Sequence, residues 1–299
     1  MGRSVVSVAA ACLAFLAGSV VPTLASEPLN VVVTIPVLKD FADRIGGPHV
    51  RVVSLLSGLE NEHTYSPKPS DLVAVRRAKV MIRIGMGLEV WVGSLIKNAG
   101  AAGVLVVTTS EGIARIADHV EPAAHGHAAG NPHIWLDPEN AQQMVRQIAQ
   151  ALSEADPAHA ADYRTNEDHY LHELRALETD LLRRLQPVAE RRIVVHHPAW
   201  PYFANRFGFH IVGEIIAQAG AEPSARHLQT LVKTIREERI RVIVSEPQLN
   251  QKLPRILARE SGARVVVLTA MPGGVPGTDS YLDMLRYNVL QLAQALQAS

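Results

Sequence analysis

From residue 29 onward, short aliphatic runs alternate with stretches in which apolar residues recur at helical spacing. Leu29–Ile35 (LNVVVTI), Val50–Leu55, Val80–Ile84 and Gly103–Thr108 are rich in β-branched residues and short enough to be strands. Between them lie a helical pattern around Leu38–Ile45 and a helix opened by Pro69-Ser70-Asp71. The alternation then restarts, with strands expected at Arg192–Val195, Ile211–Ile215, Val242–Val244 and Val265–Leu268 and a last helix from Tyr281 to the end. Buried strands alternating with helices indicate a parallel sheet covered on both faces. Two such series predict an α/β protein of two similar lobes, each a parallel sheet flanked by helices.

Between the two series, Pro157 to Gln186 reads as one long helix. Leu171, Leu174, Leu177, Leu181, Leu182 and Leu185 recur at helical spacing, and Asp180 and Arg184 stand four residues apart. A helix of about 30 residues spans roughly 45 Å, long for a connector and suited to a rigid strut between lobes. The expected organisation is a segment 1–26 of different character, a first lobe over 27–156, a linking helix over 157–188 and a second lobe over 189–299.

The first 26 residues change the picture of where the protein works. Arg3 supplies a positive start, Val5 to Val21 carry no charge, Pro22 breaks the run, and Thr23-Leu24-Ala25 offers small residues for cleavage. This is the pattern of a cleavable secretory signal peptide, and it predicts a periplasmic protein. The single cysteine, Cys12, lies inside that segment, so the remainder has no thiol and any metal it binds is held by nitrogen and oxygen. Of the 299 residues, 47% are hydrophobic, enough to bury a sizeable core, and 29 basic residues balance 29 acidic ones. No basic block recurs along the chain, which argues against nucleic acid as a partner.

Most of the 13 histidines read as surface or hydrogen-bonded residues. His172-Glu173 resembles the start of a zinc-peptidase helix motif, but Ala176 occupies the second histidine's place and the motif fails. Three others stand apart by setting. His63 lies in the turn-rich GLENEHTYSPKPSD after the second strand, His133 in NPHIWLDP just before a helix beginning at Pro138, and His197 directly after the fifth strand in IVVHHPAW. In parallel α/β sheets ligands bind outside the carboxyl ends of the strands. Two of the three come from the first lobe and one from the second, so one ion can bridge a cleft between lobes. Three imidazoles and an oxygen ligand make a tetrahedral site suited to zinc. By spacing alone, three scattered histidines carry little weight.

The order and spacing of GLENEHTYSPKPSDL, RIGMGLEVWV, NPHIWLDPENA, VVHHPAWPYFANRFGF, VSEPQLNQK and YLDMLRYNVLQL carry more. Together these segments resemble the metal-binding solute-binding proteins of ABC importers for zinc and manganese, the cluster A-I or zinc-uptake type, across the whole chain from Leu29. The resemblance implies two α/β lobes joined by a long rigid helix, metal-ligand roles for His63, His133 and His197 (His197 and not His196 being the aligned member of the pair), and delivery of the ion to an inner-membrane permease by a monomeric carrier. Manganese-type members place a glutamate at the third position, so histidine here favours Zn2+ over Mn2+; Cu2+ is the other competitor.

At the fourth ligand the sequence departs from the family. Where many relatives carry an aspartate after the last strand, this chain has Thr269 in Leu268-Thr269-Ala270-Met271. Water, Glu62, Asp279 in PGGVPGTDS and Glu246 in SEPQ are the alternatives, in that order with water and Glu62 level. The stretch His119–Gly130 resembles a shortened form of the family's histidine-rich loop, and its His119, His125 and His127 are expected to form an accessory, low-affinity site. Tyr65, Trp135 and Trp200, next to the candidate ligands, are read as packing. Two other functions compete: a zinc hydrolase using an open fourth position, and a metal-binding adhesin or manganese carrier on the same scaffold. No carboxylate follows a ligand in a general-base motif, so no enzymatic turnover is expected.

Overall fold

The computed structural model describes Gly2 and residues 27–116, 130–216 and 222–297. The signal-like segment from Arg3 to Ser26, and His119, His125 and His127, lie outside the described residues.

The first lobe is a four-stranded parallel sheet of β1 (Leu29–Val33), β2 (Val50–Ser54), β3 (Val80–Arg83) and β4 (Leu105–Thr108), in the order β2-β1-β3-β4. The second repeats the arrangement with β5 (Arg192–Val195), β6 (His210–Glu214), β7 (Val242–Ser245) and β8 (Arg264–Val267), in the order β6-β5-β7-β8. In each lobe the strand order reverses beside the first strand, between β1 and β3 and between β5 and β7. This is the switch point at which a doubly wound sheet opens a crevice. Residues that follow β1, β3, β5 and β7 therefore line the ground on which a ligand can sit.

Helices α1 (Pro36–Gly46), α2 (Pro69–Arg77), α3 (Val92–Ala99) and α4 (Pro138–Ala155) belong to the first lobe, and α6 (Pro201–Phe207), α7 (Ala225–Glu237) and α8 (Lys252–Ser261) to the second. Four of them begin with proline, whose fixed φ and missing N–H suit the first helical position. Pro36 also explains why β1 stops short of Ile35: the residue before it is held extended and becomes the N-cap of α1. β4 begins later than the aliphatic run because Ala101–Val104 close a turn, with Val104 N donating to Ala101 O at 3.1 Å.

The long helix, α5 (Ala160–Leu185), is 26 residues, about 39 Å, and shorter than the pattern suggests. Pro157–His159 form a separate 3-10 turn in front of it. The Asp156 carboxylate holds that turn, accepting from His159 Nδ1 at 2.7 Å and Tyr163 OH at 2.7 Å. Leu171, Leu174, Leu177, Leu181 and Leu185 are buried, whereas Leu182 falls off the stripe and stays 39% exposed.

The last helix, α9 (Tyr281–Gln297), follows the second lobe in sequence but packs against α5 and α1. Tyr281 is fully buried, with its ring edge-on to Phe41 at 4.8 Å and its backbone N–H donating to Asp40 Oδ2 at 3.1 Å. One apolar core thus runs from the first sheet through α5 and α9 into the second lobe, and a smaller cluster lies under α7 and α8. Among the described residues no helix is long and apolar enough to cross a membrane.

Candidate metal centre

His63 and Glu62 are presented by the loop between β2 and α2. Asn61 Oδ1 accepts from His63 N at 2.9 Å, a local turn that sets the direction of the next side chains. Glu60 accepts from Ser57 N and Ser57 Oγ at 2.8 and 2.7 Å and closes the loop's first bend. Its far end is tied by Asp71, which accepts from Lys68 N and from Tyr65 OH, both at 2.7 Å. Tyr65 therefore holds the loop to α2 as well as packing beside the site.

His133 sits in a short bridge, residues 131–137, between the described part of the first lobe and α4. The Asn131 amide is oriented by its Nδ2, which donates to the Pro198 carbonyl at 2.7 Å. Its Oδ1 then faces His133 and accepts from both N and Nδ1 at 3.0 Å. An amide oxygen only accepts, so Nδ1 carries the proton, and in the neutral ring Nε2 keeps its lone pair. Trp135, fully buried, lies 5.3 Å ring to ring from His133 and donates Nε1–H to Ala270 O at 2.7 Å.

His197 follows β5 and is oriented the same way by a different group. Its Nδ1 lies 3.2 Å from Glu246 Oε2, and Glu246, directly after β7, is completely buried. Burial by itself would pull the His197 imidazole down, but the hydrogen bond and charge of Glu246, with Glu62 and Glu214, override it and push it above the ordinary imidazole value. His196 faces elsewhere: its Nδ1 pairs with Ser245 Oγ at 2.9 Å, and burial holds it below the ordinary value.

These loops bring four side chains to one point. His63 Nε2 lies 3.3 Å from His133 Nε2 and 3.3 Å from His197 Nε2, and Glu62 Oε1 lies 3.5 Å from His133 Nε2 and 3.9 Å from His63 Nε2. One donor atom from each of Glu62, His63, His133 and His197 falls within 4.8 Å of every other. Ligands about 2.0–2.1 Å from a tetrahedral ion stand roughly 3.3–3.4 Å apart, and both separations from His63 Nε2 match that of a shared ion. Glu62 Oε1 is buried and has no hydrogen-bond partner among the described residues, a costly position unless a cation is met there.

Asp279 is exposed and stands outside this group. Thr269 is buried but turned onto its own loop, donating to Met271 O at 2.7 Å and accepting from Met271 N at 3.1 Å. Glu246 stands behind His197, on Nδ1, and is not one of the converging donors. Sequence reasoning missed Asn131 altogether. Its only signal is its place two residues before a histidine in Asn-Pro-His, the spacing of a side chain that turns back on the backbone.

The profile of the family described as zinc-uptake complex component A, periplasmic, matches residues 31–295. The high-affinity zinc uptake system protein ZnuA of Brucella abortus (strain 2308) is 29% identical, over 91% of this chain and 93% of that protein. The iron-binding protein YfeA of Yersinia pestis is also 29% identical, over 91% of this chain and 88% of its own length. A zinc-bound ZnuA lacking residues 138–173 of its own sequence superposes with a TM-score of 0.81 at 30% identity, covering 91% of this chain and all of that one. Relatives of equal identity are thus named for different metals.

Proposed function

The chain belongs to the zinc-uptake component A family of metal-binding periplasmic proteins, and on that footing we propose that it captures zinc in the periplasm and hands it to the permease of an ABC importer. The observation that carries the reading is the meeting of three imidazoles and one buried carboxylate oxygen at one point, with His63 Nε2 3.3 Å from the Nε2 of both other histidines.

The donor set favours zinc. Three nitrogens and one carboxylate suit a four-coordinate borderline ion, whereas manganese and magnesium favour oxygen-rich shells of higher coordination number. Copper binds such nitrogen donors at least as tightly, so supply and not intrinsic preference keeps it out. Glu62 fills the fourth position, which leaves no place for the activated water a zinc hydrolase needs. Binding without turnover is the consistent reading, with residues 1–26 acting as the export signal and a monomer as the working unit.

The test is a competition titration with zinc, together with metal analysis of protein isolated from its own periplasm. Removing one of four ligands removes about a quarter of a binding energy of order 10–16 kcal/mol, so His63→Ala, His133→Ala and His197→Ala each weaken zinc by roughly 100-fold or more. His196→Ala stays within about threefold of wild type. Equal losses from His196→Ala and His197→Ala, or a periplasmic protein loaded with manganese or iron, would overturn the assignment. Restoration of zinc-limited growth by the wild type, and not by the His133→Ala variant, is the expected readout for delivery.

A further inference from the structure

The ion's two charges must be met in a buried place, and Glu62 supplies only one negative charge among the converging donors. Three neutral imidazoles add none, so a bound dication leaves a net single positive charge. An uncompensated charge of that kind is expensive away from water. Among the described residues, the fully buried carboxylate that touches a ligand from behind is Glu246.

Its placement is determined by the sheet. β5 and β7 are neighbours with Val195 beside Val244, so the residues that follow them, His197 and Glu246, emerge side by side at the switch point. Both carboxylate oxygens are engaged by donors from the segment after β5: Oε2 by His197 Nδ1 and Oε1 by Trp200 Nε1. The Glu246 carbonyl accepts from Gln251 Nε2 at 2.7 Å and Leu249 N at 3.1 Å, which pins the turn that carries it. So held, the carboxylate cannot swing round to the ion. His133 differs, because the group at its Nδ1 is the neutral Asn131 amide.

We propose that Glu246 is a positioning residue that acts on the ion through His197, fixing that imidazole with its proton on Nδ1 and supplying the second negative charge that neutralises a bound dication. A carboxylate–imidazole–metal relay makes the imidazole a stronger donor, and its loss lowers metal affinity about 10–100-fold. An amide cannot replace the carboxylate. With one oxygen and one NH2, a glutamine must set its NH2 against the N–H of either His197 or Trp200. The inference rests on the zinc-site reading above.

Glu246→Gln and Glu246→Ala would be compared with wild type in zinc competition titration, in thermal unfolding of the metal-free protein, and in long-range 1H–15N spectra of the imidazoles. The expected result is a 10–100-fold weaker zinc affinity for both variants. The metal-free unfolding temperature of Glu246→Gln is expected to lie close to wild type. In the metal-free protein, at a pH where the ring is neutral, His197 changes from a single Nδ1–H tautomer to a mixture. Zinc affinity within twofold of wild type in both variants would overturn the proposal, as would an unchanged His197 tautomer. A loss of metal-free stability large enough to account for the weaker binding would also overturn it, because it would make Glu246 a scaffold residue only. Wild-type protein that binds no zinc would sink the site reading itself, an outcome distinct from the other three.

Discussion

Glu62, level with water, and Asp279 behind them are candidates for the same place, and their surroundings separate the two carboxylates. Glu62 is 3% exposed, and its Oε1 faces two imidazole nitrogens with no hydrogen-bond partner among the described residues. Asp279 is exposed, where a carboxylate is satisfied by water. A buried oxygen without a donor is unfavourable in the metal-free protein and favourable once a cation arrives, so its removal should separate stability from binding. Glu62→Gln is expected to weaken zinc by roughly 100-fold, the scale of a lost ligand, while leaving the metal-free unfolding temperature equal to wild type or higher. Asp279→Asn should change neither quantity, and isothermal titration beside differential scanning fluorimetry reads both. A zinc affinity unchanged in Glu62→Gln but lowered in Asp279→Asn would reverse the assignment. The three histidines could be singled out from the sequence because each directly follows a strand or precedes a helix in a turn-rich segment. Asn131 and Glu246 meet their histidines through hydrogen bonds that exist only once the chain has folded, and the Asn-Pro-His spacing before His133 is the one local trace of them.

At the scale of elements, α5 is where sequence and structure part, and the cause is electrostatic and local. The sequence pattern starts the helix at Pro157, but the Asp156 carboxylate collects His159 Nδ1 and Tyr163 OH and turns the first three residues into a separate 3-10 turn. His49, from the turn before β2, stacks on His159 at 3.8 Å and fastens the start of the helix to the first lobe. Burial alone would raise the Asp156 carboxyl; the hydrogen bonds from His159 and Tyr163 outweigh it and hold the group below its ordinary value. A carboxyl depressed in the folded state stabilises the protein above its unfolded value, and that contribution is lost as pH falls through the folded one. Asp156→Asn should therefore cost about 0.5–1 kcal/mol at pH 7, a figure reduced for partial exposure, and progressively less below about pH 4. Urea unfolding at several pH values checks this, and a cost that stays constant into acid would refute the linkage. The strands were legible because each is a short aliphatic run bounded by turn residues. Their ends were misplaced by a residue or two wherever a proline or a tight turn, as at Pro36 and Ala101–Val104, claims the last apolar position. The return of α9 onto α1 and α5 is a long-range contact, and amphipathic spacing does not say which partner a helix face will meet.

The whole molecule is tied across its two halves by more than α5. Asn131 donates to Pro198 O, Trp135 to Ala270 O, and Tyr281 OH to Trp135 O, at 2.7, 2.7 and 2.6 Å. Arg206, on α6 of the second lobe, donates to Asp137 Oδ1 at 2.7 Å, pairs with Glu178 of α5 at 3.2 Å, and meets Glu139. These ties all bear on residues 131–139 or on α5, so the segment carrying His133, held to its own lobe by Asn131 N on Ile116 O and by Asn140 on Ile134 O, is also fastened to the second lobe beside His197. The loop carrying Glu62 and His63 is held chiefly by Asn61, Glu60, Tyr65 and Asp71 within its own lobe. Wide opening of the lobes would break a continuous core and several buried hydrogen bonds at once, each worth about 1 kcal/mol or more, whereas displacing one loop disturbs only a few. Metal-free and zinc-loaded protein should accordingly show nearly the same lobe arrangement, with spin-label distances between the outer faces of the two lobes differing by less than about 2 Å, far below the displacement of a hinge closure. Hydrogen exchange should place the difference in residues 57–66, slow with zinc and fast without it, while 131–137 stay protected in both states. A lobe separation that grows by many ångströms on zinc removal, or equal loss of protection in both segments, would show that the ion leaves by parting the lobes and not by withdrawal of the loop.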